Sequence, residues 1–115
     1  MNQPTDRAAP DYTPAQVDAL IAESAAATGI LPTIDRCHHL NRQLRAAIQQ
    51  LADQVRQRQA AFPERSRDWY RCDRLLTDTG TVLAEGMGHG LLSAALHVAA
   101  LGRQAQALAA EERRA

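Results

Sequence analysis

Between Pro32 and Pro63 the apolar residues recur in alternating steps of three and four: Cys37, Leu40, Leu44, Ala47, Leu51. Ile48, Val55 and Phe62 widen the same stripe, while Arg42, Arg45, Gln49, Gln50, Asp53, Arg56 and Gln57 occupy the opposite side. This spacing predicts one amphipathic helix with a single buried face. About 30 residues at ~1.5 Å each reach roughly 45 Å. An apolar stripe of that length has to be met by other helices.

The flanking segments supply them. Thr13 is a good N-cap, Pro14 suits the first helical position, and Gln16 completes a capping box. Val17, Leu20, Ile21 and Ser24 or Ala25 follow at helical spacing, and Gly29 is expected to end that helix in the left-handed conformation. Pro32 and Thr33 open the long helix, and Phe62-Pro63 closes it. A third helix starts at Pro63 or Ser66, with Trp69, Cys72, Leu75, Leu76, Val82 and Leu83 as its apolar positions. Thr77, Thr79, Gly80 and Thr81 weaken its middle, so a bend or fray is expected there. After Gly86-Met87-Gly88-His89-Gly90, a last helix runs from about Leu91 to Glu112. Its first half is apolar on nearly every side, leaving a narrow polar stripe of Ser93, His97 and Gln104; it is either central in the fold or covered by a partner. No strand-like alternation and no internal repeat is visible. The expected fold is all-α: a small antiparallel bundle of three long core helices plus a shorter N-terminal helix, over residues 13–112. Residues 1–12 are expected to form a disordered tail.

Composition agrees and narrows the function classes. The aromatic fraction is 3% and the hydrophobic fraction 45%, which favours helices packed through small and aliphatic side chains. Thirteen basic residues balance 13 acidic ones, so neither a strongly cationic nucleic-acid binder nor an acidic tail protein is indicated. All the basic residues are arginine, which reads as a coding bias rather than as phosphate recognition. Cys37 and Cys72 are too few for a disulfide scaffold and form no C-x-x-C pair. Met1 to Pro10 lacks the apolar core of a secretory signal, and Leu91 to Leu101 is too short to span a bilayer. A cytoplasmic protein without a membrane partner is expected.

Four constellations are candidates for chemistry. His38 and His39, next to Cys37, fall opposite position 90 if the chain folds back near residue 64, which brings His89 close. Three such ligands suit zinc with an open position, although the spacing fits no standard motif; core packing of Cys37 with boundary histidines is the alternative. The glycine loop at 86–90 could present amides to an anion, but no strand precedes it, and a connector after a helix cap is the plainer reading. Arg56, Arg58, Arg65, Arg67, Arg71 and Arg74 surround the second turn with Trp69 and Tyr70 among them, against Glu64, Asp68 and Asp73. Such a tip could bind single-stranded nucleic acid through Arg65, Arg67 and Arg71, or simply form charge pairs on solvated faces. Ser66 and Ser93 lie in no nucleophile elbow, and Glu85 near His89 is poorly placed for acid–base work, so no enzyme and no cofactor is expected.

Two stretches carry a resemblance. Leu40-Asn-Arg-Gln-Leu44-Arg45-Ala-Ala-Ile48-Gln-Gln-Leu51 is similar to an L-x-x-x-L-R-x-x-I-x-x-L helix, and His97-Val-Ala-Ala-Leu101-Gly102-Arg103 to an H-A-x-x-L-A-R helix. Both resemble a family of short helical proteins of unknown function from Streptomyces and relatives. The resemblance spans roughly residues 35–110 and implies an actinobacterial origin and a helical bundle, with no activity and no catalytic residues. The function expected from the residues is protein–protein contact through Leu91–Leu101, with Leu92, Leu96 and Ala99 as the interface, either in a homodimer or on another helical protein. Nucleic-acid binding at the arginine tip is the alternative, and a metal site at His38, His39 and His89 the third reading.

Overall fold

The computed structural model describes residues 11–114. It contains α1 (Pro14–Ala26), α2 (Ile34–Ala61), α3 (Arg67–Ala84) and α4 (Gly90–Glu112), and no strand among the described residues. Of the expected tail at residues 1–12, residues 1–10 lie outside the described residues. Tyr12 is already docked: its N–H donates to Gln50 Oε1 at 2.7 Å, and Gln50 Nε2 donates back to its carbonyl at 2.8 Å.

Each helix begins where its capping chemistry places it. The Thr13 side chain accepts from Gln16 N–H, the Gln16 side chain accepts from Thr13 N–H, and Pro14 follows directly. Thr33 and Ser66 cap α2 and α3 with the side-chain half of that arrangement, accepting from Arg36 and Trp69 N–H. Phe62, extended before Pro63, closes α2. Two expectations are corrected. Gly29 is not left-handed; α1 closes on Ala27 in a right-handed helical conformation. Nor does α3 fray at Gly80; the helix is continuous through it. The hydroxyls of Thr77, Thr79 and Thr81 each donate to the carbonyl four residues earlier, which satisfies them without leaving the helix.

Successive helices are antiparallel, so α2 and α4 run parallel. Arg45 meets His97 and Arg58 meets Glu111, and the two pairs rise together along the two helices. α2 and α4 form the most extensive pairing; α1 and α3 flank it on opposite sides and do not touch each other. The result is a flat bundle 45 × 42 × 24 Å. Leu40, Leu44, Ile48 and Val55 of α2 are fully buried, as are Val98, Leu101 and Leu108 of α4. Cys37 and Cys72 are both buried and unpaired.

Between α1 and α4 the close approach depends on Gly102. A Cβ there would lie 1.8 Å from Ser24 Oγ. Ser24 itself is 1% exposed, and its hydroxyl donates to the Ile21 carbonyl at 2.7 Å. The absence of a side chain at Gly102 is what lets the first helix seat on the last.

Candidate functional site

Two polar clusters and one apolar face lie on α4. At its C-terminal end, Glu111 is 4% exposed and receives two guanidinium groups. Arg58 of α2 donates to its Oε2 at 2.8 Å, and Arg71 of α3 to Oε1 at 2.8 Å and Oε2 at 3.0 Å. Arg71 also bonds Asp68, one turn before it. Both guanidinium groups lie over the Phe62 ring, at 5.4 and 5.8 Å from its centroid. Hydrogen bonding to Arg71 is the main reason that the Glu111 carboxyl is held down at about 2. The cluster ties three helices into one register.

The second cluster lies about 14 residues earlier on α4. His97 is 7% exposed, although its place beside Ser93 and Gln104 suggested an outward polar stripe. Arg45 approaches its Nε2 at 2.9 Å. A guanidinium only donates, so Nε2 accepts and the imidazole is neutral with its proton on Nδ1. The same guanidinium donates to the carbonyls of Leu83 and Glu85 at 2.8 and 2.7 Å, and to Asn41 Oδ1 at 2.9 Å. Arg45 thereby caps the end of α3, whose last carbonyls have no helical partner. Burial, with the Arg45 charge second, pushes the His97 imidazole below its ordinary range, and Glu85 opposes the shift. The Nε2 lone pair is engaged by Arg45, so it is not free to take a proton from a substrate.

Around this node the Gly86–Gly90 connector crosses from α3 to α4, with Gly88 and Gly90 at φ 70° and 87°. Only glycine takes such angles readily. His89 precedes α4 without a side-chain cap bond. A shallow depression of about 420 Å³ lies here, lined by Met87, Gly88, Ser93, Leu96 and His97 among others.

The expected site residues separate in space. His38 and His89 are exposed and His39 is half-buried. Among the described residues no group of three or more His, Cys, Asp or Glu side chains converges as metal ligands, and His38, His39 and His89 form no such group. In the arginine tip, Arg71 is turned inward on Glu111 and Asp68, so it is not a free phosphate contact; Arg65 and Arg67 are exposed. Arg65 holds a positive φ of 66° in the turn closed by Ser66 N–H on the Pro63 carbonyl. Tyr70 is 53% exposed and stacks edge-on against Trp69 at 5.2 Å. Of the three interface residues, Leu92 and Leu96 remain outside at 59% and 53% exposure, whereas Ala99 turns inward at 6%. The outward row of α4 continues instead through Ala100, Arg103, Ala107 and Ala110.

Arg45 and His97 belong to the two stretches that carry the sequence resemblance, and they meet here. No curated protein and no solved structure matches the chain. A profile described as a family of unknown function, DUF6415, covers residues 13–114. That match runs from the cap of α1 past the end of α4, and the chain therefore belongs to the DUF6415 family.

Proposed function

We propose that this chain is a non-enzymatic helical module that pairs with a second copy of itself through the outward face of α4. The observation that carries the reading is the pair Leu92 and Leu96, more than half exposed on a helix that packs against all three of its neighbours through its other side. The row they begin is large at one end and small at the other: Leu92 and Leu96, then Ala100, Arg103, Ala107 and Ala110. An antiparallel second α4 sets the leucines of each copy over the alanines of the other, as an isologous two-fold contact requires. Arg103 then falls opposite Ala100, where its stem covers the alanine and its head reaches water. Burying the exposed half of each leucine contributes about 1–1.5 kcal/mol before the cost of association. A formal charge of +0 adds no net repulsion between copies. No helix among the described residues is long and apolar enough to cross a membrane, and a cytoplasmic location is part of the proposal. The Streptomyces-type resemblance supports an actinobacterial source.

Native mass spectrometry across a concentration series tests the pairing. A dimer that dissociates on dilution, and a monomeric but equally helical Leu92→Glu/Leu96→Glu variant, are expected. A wild-type chain that stays monomeric at every concentration would overturn the reading.

A further inference from the structure

The Arg45–His97 contact has a property the rest of the core lacks. It exists in only one protonation state. Three of the four hydrogen bonds of Arg45 are indifferent to pH, since they end on the Leu83 and Glu85 carbonyls and the Asn41 amide oxygen. The fourth needs an unprotonated Nε2. Once that nitrogen gains a proton, two cations face each other at a separation of 2.9 Å at a partly buried site. One of them has to leave. His97 is embedded in the central helix, and a guanidinium on a long flexible stem is the freer partner.

The charges that act on His97 are Arg45 from α2 and Glu85 from the residue that follows α3. α4 itself carries no charged residue within a turn of position 97, and α1 contributes none. Glu85 is exposed, and its attraction is the weakest of the three influences on the imidazole. The departure of Arg45 would take with it the cap on the end of α3. Beyond that cap lies the connector with two glycines at positive φ, a segment built to change direction.

We propose that Arg45 and His97 form an acid-released latch, which holds the α3–α4 connector in place while the imidazole is neutral and frees residues 83–90 when it is protonated. The latch does not depend on self-association. By proton linkage, opening tied to one proton changes by up to tenfold per pH unit once the pH is below the ordinary histidine value. Hydrogen exchange followed by mass spectrometry from pH 8 to 5, corrected for intrinsic rates, reads this directly. Protection of the 83–92 segment is expected to fall up to tenfold per unit below about pH 6.5, with α2 and the rest of α4 unchanged. In His97→Gln, whose side-chain oxygen can accept from Arg45 without titrating, the segment should stay protected throughout. A flat wild-type profile, or the same loss in His97→Gln, overturns the proposal. Should that variant not fold, the wild-type imidazole decides by NMR. Titration below the ordinary histidine value with the proton on Nδ1 is expected, and titration at or above that value overturns the latch.

Discussion

A carboxylate taken out of water costs several kcal/mol unless opposite charge and hydrogen bonds meet it, and Glu111 is met by two arginines. Replacing it with Gln leaves Arg58 without its anion and Arg71 with Asp68 alone, and urea denaturation should show a loss of about 2–3 kcal/mol. The loss stays at the lower end of what a broken buried pair costs because both arginines keep contact with water. Acid should act on the same group. The Glu111 carboxyl is held at about 2 against an ordinary 4.5, so its contribution is complete above 4.5 and fades as the pH falls toward 2. His97 adds an earlier step: its imidazole is shifted down, so stability is complete above 6.5 and begins to fall below it. A pH series of chemical denaturation midpoints should therefore decline in two stages, and His97→Gln should remove the first alone. Gly102→Ala should lower stability by roughly 1–3 kcal/mol, since the new methyl meets Ser24 and the first helix has to move away; a thermal melt with a change in α1 protection would show it. None of these contacts was legible in the sequence. Glu111, Arg45 and Arg71 sit on amphipathic helices, where a charged residue reads as part of a solvated face. Which of them turns inward depends on the level at which helices distant in sequence meet.

At the level of the element, most was legible because the information is local. Thr13, Pro14 and Gln16 act within one turn, and Thr33 and Ser66 do the same for α2 and α3. Every residue of the α2 apolar stripe from Cys37 to Val55 is buried in the folded chain, and Ala52 joins them. The errors arose where local preference was overruled. Gly80 is a poor helix former, yet with Cys72, Thr79 and Val82 packed on either side of it α3 stays continuous. That makes Gly80 a site for improvement. It is exposed, its φ is not positive, and a Cβ there meets nothing within 4 Å. Gly80→Ala should stabilise the chain by about 0.5–1 kcal/mol, measured as a higher urea midpoint with unchanged slope. Gly88, with φ at 70° and Ser93 Cβ 3.2 Å from a built Cβ, should respond in the opposite sense to the same substitution.

The whole molecule depends on its last helix. The sequence offered two explanations for an α4 apolar on nearly every side, and its central position accounts for most of that surface; Leu92 and Leu96 are the large residues left over. Periodicity finds such a helix but does not say how much of it the other three helices can cover, because coverage is a property of the assembled bundle. One consequence concerns the order of events during synthesis. α1 and α3 make no contact with each other, and α1 relies on α4 far more than on α2. A ribosome that has released the first three helices has therefore delivered the α2–α3 contact and a loosely held α1, without the helix on which α1 chiefly packs. The faces of α1 and α2 that α4 covers stay open until α4 clears the exit tunnel, and collapse then closes contacts between α1 and α4, distant in sequence, at once. Nascent chains stalled before α4 should be protease-sensitive and dependent on chaperones, and those stalled after it should be resistant.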